Sequence, residues 1–380
     1  MRVLFSSTSG HGHVIPMLPL AGAFRAAGHE VLWATAAQAT GLVDAAGIDT
    51  VAAGATGTEE VALRVAVRDR GERLAGPARA SFVFPRMFGE ALTPPMVADL
   101  LPLARAWRPD LLVHEHAELA APLVGAVLGV PSVTHAFGTA IPVGILDETK
   151  DRLAGLWRSH GLDVPPYAGC FRDGYLDICP ASVQTVRSHI PAVQALRPVA
   201  DTGVAPPPQE PLVYVTLGTV QQRPDLLREV VAGVAALPVR VLVAVGPHLD
   251  PGSMGEQPAH VRVEAWVDQA EVLSRCTAVV SHAGSGTFLG ALARGLPQLC
   301  LPQGADQFRN AEGGVAAGAA LALAPTEARA ESVRAAVERV LTDDGLRSAA
   351  VRVAAEIAAM PAPDAVARLL AARSGRAGVS

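Results

Sequence analysis

At 380 residues, half of them hydrophobic and 18% charged, the chain is longer than one ordinary domain, and two soluble domains are expected. A formal net charge of −5 gives no electrostatic ground for a nucleic-acid partner, and no uninterrupted apolar run approaches the roughly 18 residues a membrane span needs. Met1-Arg2 leads straight into VLFSS without a cleavage site, and the four cysteines (Cys170, Cys179, Cys276, Cys300) keep no paired metal-ligand spacing, so free thiols in a reducing cytoplasm are expected.

Short β-rich apolar runs alternate with helical segments from end to end, the pattern of parallel α/β architecture. The first strand, Val3–Ser7, runs into Ser9-Gly10-His11-Gly12-His13-Val14-Ile15-Pro16. A histidine at the carboxyl end of a strand can take a proton near neutral pH. A helix, Met17–Ala27, stops at Gly28 and is followed by the strand Val31–Thr35. Segment 54–95 leaves the alternation and reads as long and irregular. Next comes the strand Leu111–His114, ending in Glu115, a carboxylate able to orient an imidazole and stabilise its charged form. From the residues alone, His11, His13, His114 and His116 are equal candidates for a base, and each by itself is more often structural. The strand Ser132–His135 precedes a second irregular segment, 140–200. Between them the two segments hold Phe82, Phe84, Phe88, Trp157, Tyr167, Phe171 and Tyr175, either as ligand contacts in binding loops or as plain loop packing.

Residues 202–211, TGVAPPPQEP, suit neither a helix nor a central strand and are expected to link a domain over 1–201 to one over 212–380. The second half has strands at Val213–Leu217, Val241–Val245, Ala278–Ser281 and Gln298–Leu301. Its last helix, near Asp364–Arg373, comes after that domain should be complete and is expected to pack back on the first. Trp266, in WVDQ, is by default a core residue, yet one crossover before His282 it would border the same crevice. The run His282-Ala283-Gly284-Ser285-Gly286-Thr287 joins a strand to a helix. Its glycines permit close approach, free N–H groups and the helix dipole favour an anion, and His282 adds a donor. Asp306-Gln307 follow Pro302-Gln303-Gly304 at another carboxyl edge, where open α/β sheets bind ligands. As a pair they read as contacts to sugar hydroxyls; the Asp alone would read as a helix N-cap.

The order WVxQ, HAGSGT, LPQxxDQF resembles the donor-binding signature of family-1 glycosyltransferases with the GT-B fold. It is most similar to bacterial enzymes that decorate antibiotic aglycones, and the likeness runs from Arg2 to the C-terminus. The resemblance implies two Rossmann-like parallel-sheet domains facing a central cleft, the first for an acceptor and the second for a nucleotide-sugar donor. It implies that Trp266 stacks on uracil or thymine with main-chain contacts from Val267. His282, Gly284, Ser285, Gly286 and Thr287 would hold the diphosphate, with Gly218 and Thr219 approaching it, and Asp306 and Gln307 would meet the sugar. It selects His13 as the base, with Glu115 where the family usually has Asp, and leaves His11 to shape the loop. Phe82, Phe84 and Phe88 would lie on the acceptor side. The implied reaction is inverting, metal-independent transfer of a sugar or deoxysugar from a dTDP or UDP donor to a hydrophobic natural-product aglycone. The lack of an Asp-x-Asp element agrees with this. No cofactor, nucleic acid or membrane anchor is implied, and a homodimer is left open.

Rival readings are weaker. For a nicotinamide or flavin dehydrogenase, Gly10-x-Gly12 is followed by Pro16 rather than a third glycine, and VLWATAA ends without the acidic residue that holds a ribose. No Gly-x-Ser-x-Gly elbow supports a serine hydrolase. A nucleotide-sugar epimerase of the same fold is the serious enzymatic rival. A non-catalytic nucleotide-binding partner protein is disfavoured by the presence of both His13 and His282.

Overall fold

Runs such as Val3-Leu4-Phe5 and Ala278-Val279-Val280 are apolar at every position, which suits strands covered on both faces, and all six residues are fully or almost fully buried. The computed structural model describes residues 1–74, 76–198, 202–204, 210–218, 223–247 and 249–377. In it β1 (Arg2–Ser6), β2 (Glu30–Thr35), β3 (Asp49–Ala52), β4 (Leu111–Glu115), β5 (Ser132–His135), β6 (Tyr175–Asp177) and β7 (Val193–Ala195) form one sheet, in the order β3-β2-β1-β4-β5-β6-β7. A second sheet holds β8 (Leu212–Thr216), β9 (Arg240–Ala244), β10 (Val261–Glu264), β11 (Ala278–Ser281), β12 (Gln298–Cys300) and β13 (Ala320–Ala322), in the order β10-β9-β8-β11-β12-β13. Every neighbouring pair in both sheets is parallel. Both are Rossmann-like sheets whose strand order reverses at one place, between β1 and β4 in the first and between β8 and β11 in the second. In such sheets the crevice outside the carboxyl ends of those two strands is where ligands bind.

The chain divides into two compact units. One comprises Met1–Cys179, Val186–Arg197 and Pro361–Ser380, the other Pro180–Thr185 and Pro198–Met360. The helix Pro363–Ala377 thus belongs to the first unit, where it packs against the helix Leu18–Ala26 and buries Val366, Ala367 and Leu370. Within the 202–211 segment, residues 205–209 lie outside the described residues. The four cysteines are buried and free, and among the described residues no helix is long and apolar enough to cross a membrane.

Segment 54–95 is not irregular. It folds as helices Gly57–Arg70 and Gly76–Phe84, a π-helical stretch Pro85–Leu92, and the start of the helix Thr93–Trp107. The first of these begins with Glu59 reaching back to the Thr56 N–H at 3.3 Å, and turns only Glu60 and Val67 fully inward. So polar a helix leaves almost no apolar period to read. Segment 140–200 likewise contains the helix Val143–Ser159 as well as β6 and β7. Trp157, Phe171 and Tyr175 are core residues there.

Candidate active site

In the first unit, β1 ends at Ser6 and the chain turns through Gly10 into the short helix His11–Val14. A Cβ on Gly10 would stand 2.7 Å from Cδ2 of His13, so the glycine makes room for that imidazole. Across the strand-order reversal, β4 ends in Glu115. His13 Nδ1 lies 3.1 Å from Glu115 Oε1, an oblique ion-pair contact rather than a linear hydrogen bond. Glu115 is wholly buried and well held: Oε1 accepts from the Thr8 hydroxyl at 2.9 Å and the Thr8 N–H at 3.3 Å, and Oε2 accepts from the Ala117 N–H at 2.6 Å. Burial by itself pushes this carboxyl up. The facing His13 and the donors from Ala117 and Thr8 outweigh burial, leaving it below the usual carboxylate range and therefore ionised at neutral pH.

The other candidate histidines stand differently. His11 is exposed. His114 is fully buried, with Nδ1 2.7 Å from the Glu118 carbonyl and Nε2 3.0 Å from the Thr134 hydroxyl, and burial lowers its pKa to about 4. His116 is buried with its ring against Phe171 and Tyr175. Of these four, His13 combines partial exposure with an ionised partner. Phe88 and Phe137 flank it, with ring centroids 5.5 and 4.9 Å away, and Phe84 packs against Phe88 with a tilted ring at 4.9 Å. Phe82 is apart from this group, with the Arg86 guanidinium 3.9 Å over its ring. Beside Phe88 a small recess of about 20 Å³ is lined by Thr8, Ser9, Met96 and Glu118 among others.

In the second unit the residues at the corresponding crevice are His282, after β11, and Gly218, after β8. A Cβ on Gly218 would fall 2.7 Å from both Cε1 and Nε2 of His282, and one on Gly284 would collide with the same imidazole. The ring is therefore clasped between two glycines, one of them at φ 81°. Burial lowers the pKa of His282, against the pull of Asp306 and the Thr216 backbone, so the imidazole is neutral at pH 7. The helix Ser285–Ala293 starts at Gly284 with no side-chain cap, which leaves the N–H groups of Ser285, Gly286 and Thr287 to face an anion. Thr219 lies outside the described residues.

Several hydroxyls and amides expected at the ligand are already engaged with the protein. Ser285 Oγ donates to Asp306 Oδ2 at 2.6 Å, and Thr287 Oγ1 donates to Gln269 Oε1 at 2.8 Å. Gln307 Oε1 accepts from the N–H groups of Gln303 at 2.8 Å and Gly304 at 3.0 Å. Asp306 Oδ1 and Gln307 Nε2 take no part in these bonds. Trp266 is 70% exposed, leaving its ring face uncovered, and Val267 packs on the buried cluster beneath it. Among the described residues no group of three or more His, Cys, Asp or Glu is placed to hold a metal ion.

The chain matches the erythromycin biosynthesis protein CIII-like N-terminal domain over residues 22–264 and the C-terminal domain of the same family over residues 228–372. It is 35% identical to L-demethylnoviosyl transferase of Streptomyces niveus, over 98% of both chains. The chain belongs to the erythromycin biosynthesis protein CIII-like family. It is also 33% identical to elloramycin glycosyltransferase ElmGT of Streptomyces olivaceus, over 97% of both chains. The crystal structure of Streptomyces sp. SF2575 glycosyltransferase SsfS6 complexed with thymidine diphosphate superposes with a TM-score of 0.78 and 28% identity, covering 97% of this chain and 99% of that one. The fold is GT-B and the protein is a glycosyltransferase.

In this CIII-like glycosyltransferase, three residues that shape the site escaped sequence reasoning. Thr8 holds Glu115. Glu118 sits beside it, accepting from Ser6 Oγ at 2.6 Å and the Ala120 N–H at 2.8 Å. Asn310 Nδ2 donates to the Ala283 carbonyl at 2.8 Å, Ser285 Oγ at 3.0 Å and Asp306 Oδ2 at 3.2 Å. The spacing of Asn310 four residues after Asp306, at the start of one helix, was the available signal.

Proposed function

We propose that the protein transfers a deoxysugar, with inversion, from a thymidine diphosphate donor to a hydroxyl of a hydrophobic natural-product aglycone, with His13 as the base. The observation that carries this reading is the buried, ionised Glu115 held 3.1 Å from Nδ1 of a partly exposed His13. With the carboxylate at Nδ1, the lone pair available to a substrate is on Nε2. His13 Nε2 takes the proton of the acceptor hydroxyl as its oxygen attacks the anomeric carbon and the bond from that carbon to the diphosphate oxygen breaks. The imidazolium so formed is stabilised by Glu115 and later returns its proton to water. Negative charge growing on the departing diphosphate is met by His282 and the N–H groups of Ser285, Gly286 and Thr287, preorganised dipoles that need no reorganisation during the step. Trp266 offers its face to the base, Asp306 and Gln307 their remaining polar atoms to the sugar, and Phe84 and Phe88 an apolar wall to the acceptor. The thymidine diphosphate bound by SsfS6, a relative over nearly the whole chain, supports that nucleotide.

The test is His13→Ala. Loss of a general base lowers turnover by about 100- to 10,000-fold, while calorimetric affinity for thymidine diphosphate should be unchanged. Wild-type turnover in this variant would refute the base, and a product with retained anomeric configuration would refute inversion.

A further inference from the structure

The loop between β12 and the helix Gln307–Ala316 carries a side chain for which neither the base nor the diphosphate accounts. Both ends of the Gln303 amide are buried: Nε2 and Oε1 have no exposed surface and no partner among the described residues. More than nine in ten buried polar groups are paired, and an unpaired amide opposes folding, so such a group calls for a partner from outside the chain, a water, an ion or a ligand. The backbone around it is fixed. Its own N–H donates to Gln307 Oε1 at 2.8 Å, the Gly304 N–H does so at 3.0 Å, and Ala305 is held at φ 52°. The loop is also tied to the His282 turn, through Ser285 Oγ on Asp306 Oδ2 at 2.6 Å and Asn310 Nδ2 on the Ala283 carbonyl at 2.8 Å. The loop at the carboxyl edge of this sheet thus holds one unmatched donor and one unmatched acceptor. Next to it the acceptor end of Gln307 is already occupied.

We propose that Gln303 is a specificity-determining residue of the donor site, its amide oxygen accepting from and its amide nitrogen donating to a hydroxyl or amino substituent of the transferred sugar. This rests on the donor reading given above. A sugar lacking that substituent leaves both amide atoms unpaired, and sites of this kind reject such analogues far more strongly than apolar pockets do.

The test compares the wild type with Gln303→Met, of similar volume and apolar, using calorimetric titration with thymidine diphosphate and with thymidine diphosphate glucose, alongside Tm. The affinity for thymidine diphosphate should stay within about twofold, while the affinity for the sugar nucleotide falls about tenfold, the scale of one or two lost buried hydrogen bonds. The Tm should hold or rise, because an unpaired amide has been replaced by a methionine that needs no partner. Gln303→Asn, which withdraws the amide by one methylene, should lose the sugar preference without the gain in Tm. Equal losses for both ligands with a lowered Tm would make Gln303 a structural residue of the loop, and no change for either ligand would remove it from recognition. Either result overturns the proposal. A wild-type protein that failed to bind thymidine diphosphate at all would instead overturn the donor reading.

Discussion

Glu115 and Glu118 lie three residues apart at the end of β4, both wholly buried, yet their acidities are driven in opposite directions. Burial pushes both up. At Glu115 the facing His13 reverses the effect. Glu118 has only neutral donors, Ser6 and the Ala120 and Ala121 N–H groups, and the nearby Glu115 adds to burial, so it rises to about 7. A carboxyl that binds its proton more tightly in the folded state contributes stability that is whole below its unfolded pKa of 4.5 and lost as pH rises through 7. The gap is worth about 3 kcal/mol. His114 and His135, both lowered to about 4 by burial, act oppositely: they lose stability as pH falls from 6.5 towards 4. Comparing the wild type with Glu118→Gln in urea unfolding cancels those histidines. The stability difference should move by about 3 kcal/mol in favour of the variant between about pH 4.5 and pH 8. A difference that does not change with pH would mean Glu118 does not titrate in that range.

The turn between β11 and the helix Ser285–Ala293 acts as one piece with the helix Gln307–Ala316. Ala283 is held at φ 61°, a left-handed conformation that costs an alanine about 1 kcal/mol or more, and its buried carbonyl is tied down by Asn310. Asn310→Ala leaves that carbonyl and Asp306 short of a donor. It should lower stability by about 2 kcal/mol and, by loosening the anion-binding helix start, weaken thymidine diphosphate binding about tenfold. Affinity equal to the wild type in calorimetry would show that the turn holds itself. Such links explain what was legible in the sequence. The central strands β1, β4, β8 and β11 read plainly because they are buried on both faces, and their carboxyl ends carry His13, Glu115, Gly218 and His282. The strands β3, β7, β10 and β13 sit towards or at the sheet edges, are only three or four residues long, and have no comparable apolar run. Asn310, Thr8 and Gln303 act through single hydrogen bonds, or the lack of them, and no periodicity announces that. The roles of Ser285 and Gln307 were legible as polar groups at a crevice, but not the internal bonds that engage Ser285 Oγ and Gln307 Oε1.

At the scale of the whole molecule, the first unit is completed only by the last residues of the chain. The Arg197 N–H donates to the Pro361 carbonyl at 2.9 Å, and the helix Pro363–Ala377 then packs on Leu18–Ala26, the helix that continues from the His13 turn. Burying Val366 and Leu370 is worth about 2 kcal/mol each, before the buried faces of Leu20, Ala21 and Phe24 are exposed in turn. The sum is a large part of the roughly 5–15 kcal/mol that holds an average domain. Truncation after Met360 should therefore unfold or loosen the first unit and abolish turnover. The residues proposed to hold the diphosphate all lie between Pro198 and Met360, so the truncated chain should keep its affinity for thymidine diphosphate. Calorimetric scanning with and without that nucleotide separates the two effects: one transition weakened or lost, the other still raised by ligand. Loss of both together would mean that the second unit, despite its own sheet and core, does not stand without the first.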